Sequence, residues 1–140
     1  MPNIILDTNA LRLFQEEDLI DRIASRRDLV FIHRCAWEKE RKGVFGYINI
    51  FYESTKKLGS NFHEKSRVNA VLPNYIANQM KILGASKCDF ETACLALDRQ
   101  QRTGEEVHLI SDDPHIHNLK LLFHRVNINA KDMEEFRSIY

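Results

Sequence analysis

The chain reads as an α/β fold, a parallel sheet of four to five strands with helices on both faces, and three observations carry that reading. Ile4-Ile5-Leu6 is a continuous apolar run, as suits a strand covered on both faces, Leu29-Val30-Phe31-Ile32 is a second strand-like apolar run, and Val107-His108-Leu109-Ile110 is a third short strand. Between them lie long stretches of helical periodicity, and strand, helix, strand in that order implies right-handed crossovers in a parallel sheet. Each run also stops at polar residues: Asp7-Thr8-Asn9, His33, and Ser111-Asp112-Asp113. In open α/β sheets ligands bind beyond the carboxyl ends of the strands, so those stops are where chemistry is expected.

The elements follow in order. After the first strand, Leu11, Phe14, Leu19, Ile20 and Ile23 predict one helix, or two short ones broken near Gln15, from Ala10 to about Ser25. Leu29 to Ile32 predicts the second strand. From Arg34 to Leu58 the apolar positions Trp37, Val44, Tyr47, Ile48, Phe51 and Tyr52 predict helix despite Gly43 and Gly46, with Gly59-Ser60-Asn61 as punctuation. Glu64 to Leu83 reads as a further helix, kinked or split at Pro73. Asp89 to Arg102 has no Gly or Pro and is the cleanest helix; Thr103-Gly104 stops it. Beyond the third strand, Asp113 followed by Pro114 resembles a capped helix start. A helix through Ile116, Leu119 and Leu122, a fourth strand at Arg125 to Ile128 and a closing helix at Lys131 to Ile139 complete the expected order.

At 140 residues, 44% hydrophobic and 29% charged, the chain fits one globular domain over 1–140 and is too apolar for a disordered one. No repeat, linker or low-complexity tract suggests a second. No apolar run approaches the ~20 residues that span a bilayer, and no secretory leader is visible, so a cytoplasmic protein without a membrane partner is expected. Cys35, Cys88 and Cys94 are odd in number and lack CxxC spacing, which supports buried thiols over a disulfide framework or thiolate metal site. Net charge is zero, yet it is unevenly spread. Arg34 to Arg67 holds eight basic residues against four acidic, whereas Met1 to Asp21 holds one against five. An acidic strand-end region beside a basic segment suits a metal site that receives a polyanion.

The acids fall where a parallel sheet would gather them. Asp7 ends the first strand, Glu38 and Glu40 lie just after the second, Asp89 opens a helix, and Asp112 and Asp113 end the third. Each close pair of carboxylates repels by roughly 4 kcal/mol at an effective dielectric of 20. A hard divalent cation with oxygen ligands, Mg²⁺ or Mn²⁺, is the natural compensation, and phosphodiester hydrolysis is the reaction that fits it. No phosphate-cradling glycine motif and no G-x-S-x-G elbow is present. His115 and His117 do not share a helical face and lack an H-E-x-x-H context, which argues against a histidine metal site.

With Asp7-Thr8-Asn9, Glu38 or Glu40, Asp89 to Leu97 (DFETACLAL) and Leu109 to Asp113 (LISDD), the chain resembles the PIN-domain ribonucleases, a family that includes VapC-type toxins. Ala93, Cys94 and Ala96 match the small residues that follow the Asp of the family's third motif. The resemblance spans nearly the whole chain. It implies a Mg²⁺- or Mn²⁺-dependent endoribonuclease with Asp7, Glu38, Asp89 and Asp113 as catalytic acids, and Asp7, Asp89 and Asp113 as metal ligands. Thr8 or Asn9 would orient ligands or water. Asp113 is preferred over Asp112 because the family's fourth acid stands two residues after a Ser or Thr, here Ser111. Glu38 is chosen narrowly over Glu40 because it follows the apolar Cys35-Ala36-Trp37. The family also implies an RNA substrate, an antitoxin protein as partner and a homodimer. Two other readings share the architecture: a receiver-like phosphoacceptor domain, for which Lys131 is the available lysine, and a catalytically silent PIN-like module that binds RNA or protein.

Overall fold

The computed structural model describes residues 2–42 and 46–140. Its centre is a single five-stranded sheet in the order β3-β2-β1-β4-β5: β1 Asn3–Leu6, β2 Val30–His33, β3 Phe62–Lys65, β4 Val107–Ile110 and β5 Ile128–Lys131. Every neighbouring pair is parallel. The chain lays down β1, β2 and β3 outward in one direction, then returns to place β4 on the other side of β1. The order therefore reverses between β1 and β4, and the crevice outside their carboxyl ends is the expected ligand position.

Both faces of the sheet are buried, and the strand residues alternate between two cores. Ile4, Leu6, Val30, Ile32 and Ile110 join Phe14, Leu19, Ile20, Ile23, Phe51 and Phe136 on one side. Ile5, Phe31, Val107 and Leu109 join Ile76, Met80, Ala93, Leu97 and Phe123 on the other. The first layer is built from α1 Arg12–Gln15, α2 Glu17–Arg26, α3 Arg34–Arg41, α4 Ile48–Leu58 and α9 Met133–Ile139. The second takes α5 Asn74–Ile82, α6 Lys87–Thr103, α7 Pro114–His117 and α8 Lys120–His124. Among the described residues no helix is long and apolar enough to cross a membrane.

Several boundaries differ from expectation. The first helical stretch divides at Glu16, whose backbone leaves the helical region, so α1 and α2 are separate. The stretch from Arg34 to Leu58 is likewise two helices, α3 and α4; Gly43 and Val44, within the span expected to be helical, lie outside the described residues. Glu64 does not begin a helix. Phe62 to Lys65 pairs with β2 as the edge strand β3, and regular helix resumes at Asn74, behind Pro73. The last strand is Ile128–Lys131, displaced toward the C-terminus from the expected Arg125 to Ile128.

The expectation of three unpaired thiols is corrected: Cys35 and Cys88 form a disulfide, with Cα atoms 5.8 Å apart, and Cys94 is free. The sequence separation of 53 residues carried no local signal of it. The two cysteines meet because α3 and α6 both begin at the carboxyl edge of the sheet.

Phe51 holds the first layer together. It is fully buried on α4 and meets Phe14 edge-on at 5.1 Å and Phe62 at 6.1 Å. Phe51→Ala should lower the unfolding free energy by about 3–5 kcal/mol in urea denaturation, with Phe51→Leu losing less because it leaves a smaller void.

Candidate metal centre at the β1/β4 crevice

Asp7, Thr8, Asn9, Ser86, Asp89, Asp113 and His115 line a cavity of about 280 Å³ at the strand-order reversal, together with Lys39 and Gly84. Each acid is delivered by a local rule. Asp7 follows the last residue of β1, and its Oδ1 accepts from the Thr8 amide at 2.8 Å, starting the 3₁₀ turn Thr8–Leu11. Asp89 is the third residue of α6. Its Oδ2 accepts from the Ser86 amide at 2.8 Å while Ser86 Oγ accepts from the Asp89 amide, a complete capping box. Asp113 caps α7, its Oδ1 accepting from the His115 amide at 2.9 Å, with Pro114 at the first helical position.

Ser111 ties these ends together. Its Oγ donates to Asp7 Oδ2 at 2.7 Å and accepts from the Asp113 amide at 2.9 Å. Asn9 Oδ1 accepts from the Asp112 amide at 3.1 Å, a second link between the ends of β1 and β4. Ser111 thus orients the Asp7 carboxylate and holds the Asp113 backbone beside it, without neutralising either charge.

The electrostatics are one-sided. Asp7 is 3% exposed, and burial pushes its carboxyl up to about 6, against the lowering effect of the Ser111 and Thr8 hydrogen bonds; Asp89 and Asp113 raise it further by repulsion. Among the described residues, no Lys or Arg lies within ion-pair distance of Asp7, Asp89 or Asp113. His115 does, its Nδ1 being 2.7 Å from Asp113 Oδ1 and 3.6 Å from Asp89 Oδ2. Two ligand atoms bound at about 2.1 Å to one ion lie roughly 3–4 Å apart; the 3.6 Å separation from Asp89 falls in that range, whereas the 2.7 Å contact with Asp113 is of hydrogen-bond length and would open slightly around a shared cation. The donor set of two carboxylates and an imidazole fits such an ion, with one oxygen of each acid already oriented by a backbone amide.

A second group, His117, Asp132 and Glu135, has comparable spacing but different surroundings. Glu135 meets Lys120 at 2.8 Å and Lys131 at 3.5 Å; burial opposes its charge, but hydrogen bonds with Lys120 and His117 hold its carboxyl at about 2. Lysines already supply the positive charge there. Lys131, the lysine a receiver-like reading requires, is thereby engaged away from the Asp7 cavity.

Asp7, Asp89 and Asp113 are brought together; Glu38 is not. Glu38 lines a neighbouring cleft and pairs with Arg41 at 2.7 Å, which holds its carboxyl below the usual range. Asp112 also turns away, toward Arg12 at 3.3 Å and the Met133 amide at 2.9 Å. Glu40 is the buried acid of α3. It is 4% exposed, its Oε1 has no hydrogen-bond partner among the described residues, and burial pushes its carboxyl up to about 7. Ala36, one turn earlier and fully buried, marks that inward face, a signal present in the sequence at i,i+4 spacing. Of the basic segment, Lys39 reaches the cavity wall.

Glu40 makes stability depend on pH in a defined direction. With its folded carboxyl above the ordinary 4.5, the native state keeps a proton that the unfolded chain has released. This contribution is complete below about 4.5 and is lost as pH rises to about 7, a change of at most about 3 kcal/mol. Burial of Asp7 acts in the same sense. Urea melts at pH 5 and pH 8 should show the loss in wild type and a smaller one in Glu40→Gln.

No family model, curated protein or solved structure matches the chain.

Proposed function

We propose that this chain is a Mg²⁺- or Mn²⁺-dependent endonuclease of the PIN-domain type that hydrolyses phosphodiester bonds in RNA. The observation that carries the reading is the cluster of Asp7, Asp89 and Asp113 around one cavity at the strand-order reversal, with no Lys or Arg paired to any of them among the described residues. Asp89, Asp113 and His115 would hold the cation, with Asp7 beside them. A divalent ion so held lowers the pKa of a bound water and offsets charge developing on a phosphate.

The protein's own residues do the positioning. Ser111 orients the Asp7 carboxylate and the Asp113 backbone, and the capping box orients Asp89, so the acids are largely positioned before an ion binds. Lys39, exposed at the cavity wall, would meet a phosphate on its approach. RNA as substrate rests on the order of the four motifs. The same resemblance extends the proposal to a cytoplasmic toxin, homodimeric and restrained by an antitoxin.

Cleavage of a mixed RNA pool should require Mg²⁺ or Mn²⁺, stop with chelator, and fall at least roughly a hundredfold in Asp7→Asn. Equal cleavage by wild type and variant would remove the mechanism.

His115 makes a separate prediction. An imidazole nitrogen favours transition ions over Mg²⁺, which prefers oxygen. By calorimetry, His115→Gln should weaken Mn²⁺ binding by roughly tenfold or more and Mg²⁺ binding by less. Equal losses for the two ions would place His115 outside the ligand set.

A further inference from the structure

Cys35 and Cys88 are each the second residue of a helix, α3 and α6, and their bond is the covalent link between those helices. It lies at a rim. A cavity of about 480 Å³ is lined by both cysteines together with Arg34, Glu38, Lys87 and Glu91, so a small molecule reaches the sulfurs. Cys35 is partly exposed and Cys88 is buried, so Cys35 is the more accessible half of the bond. Cys88 Sγ lies on the other side at 3.8 Å from the Oγ1 of Thr8, a residue that lines the acid cavity, and Cys88 directly precedes Asp89.

Each helix start is held independently of the bond. The Cys35 amide donates to His33 Nδ1 at 3.1 Å, and the Ser86–Asp89 capping box closes the start of α6. Opening the bond therefore leaves the cap of each helix in place. What it removes is the tie between α6, which carries Asp89, and α3, which carries Lys39 and Glu40.

We propose that Cys35–Cys88 is a reversible thiol–disulfide site, open to small thiols and dithiols, that sets how firmly α3 is held against the Asp89 end of α6. In the reducing direction an external thiolate attacks Cys35 Sγ; the sulfur–sulfur bond breaks, and its electron pair passes to Cys88 Sγ, which takes a proton. A second external thiol then displaces Cys35 from the mixed disulfide. Two electrons and two protons enter the protein, and the reductant leaves as a disulfide. Oxidation is the reverse, with an external disulfide as oxidant.

The test uses the full chain in mixtures of reduced and oxidised dithiothreitol. After denaturation and alkylation, mass spectrometry should count one labelled thiol, Cys94, at the oxidising end and three at the reducing end, in a reversible two-electron transition. Three labelled thiols throughout would overturn the proposal. Hydrogen exchange of the α3 amides should quicken at least tenfold on reduction, while those of the second half of α6 stay unchanged; α3 exchange indifferent to redox state would also overturn it. Cys88→Ser should show fast α3 exchange in both buffers, and the wild-type comparison decides alone if that variant does not fold. A third arm rests on the cation reading: Mn²⁺ should bind at least threefold more weakly to the reduced protein. Failure to bind Mn²⁺ in either state would count against that reading, leaving the thiol count and exchange to decide the switch.

Discussion

The structure depends on one constraint: helices that cross over a parallel sheet run antiparallel to its strands, so their N-termini gather at the edge where the strands end. Asp7 leaves β1 at that edge, and Ser111 and Asp113 leave β4 there. Asp89 reaches the same place from the start of α6, though it belongs to no strand end. Residues up to 104 positions apart become hydrogen-bond partners in this way, as Ser111 and Asp7 show. The disulfide obeys the same geometry, since both its cysteines occupy helix starts.

That edge also accounts for how the acids coexist. Helix N-termini present unpaired amides and a positive dipole end, so carboxylates there find donors without a cationic side chain. Asp7, Asp89 and Asp113 each give one oxygen to a main-chain amide, from Thr8, Ser86 and His115 respectively. Amides orient a carboxylate and leave its formal charge in place. Burial, with repulsion from Asp89 and Asp113 added to it, raises the carboxyl of Asp7, whereas hydrogen bonds from Lys120 and His117 hold that of Glu135 low, so a lysine already partners the second acid group and none partners the first among the described residues.

What could be read from the sequence follows from how local each signal is. β1 was legible because a short unbroken apolar run ending in polar residues fits a strand covered on both faces, β4 because Val107, Leu109 and Ile110 form a mostly apolar run ending at Ser111-Asp112-Asp113, and Asp113-Pro114 because a cap and its proline are adjacent. β3 was not: Phe62-His63-Glu64-Lys65 is short, polar and half exposed at the sheet edge, and only pairing with β2 makes it a strand. Glu38 and Glu40 are two apart, hence on nearly opposite helix faces, and the choice between them turned on which face met the core. The buried Ala36 and Glu40 lie one turn apart on that face, whereas the apolar triplet before Glu38 says nothing about direction. His115 and His117 share no helical face and lack an H-E-x-x-H context, so the sequence argues against a histidine ligand. The partners of His115 are instead the cap of its own helix, Asp113, and an acid on another, Asp89.

The position of α3 joins these threads. This helix packs against the 3₁₀ turn that carries Thr8 and Asn9, buries Glu40, and places Lys39 at the cavity wall. Few of its residues are buried: Ala36 and Glu40 face inward, and one of them is an acid whose burial is unfavourable above about pH 7. An element with so little apolar burial is weakly held by packing alone. Its bond to α6 through Cys35 therefore carries more of its attachment than the same bond would between two well-buried helices. The wall of the cavity that α3 forms is thus the one tied in by the disulfide, at the end of α6 that carries Asp89, while Asp7, Asp89 and Asp113 each keep a main-chain amide that orients one carboxylate oxygen.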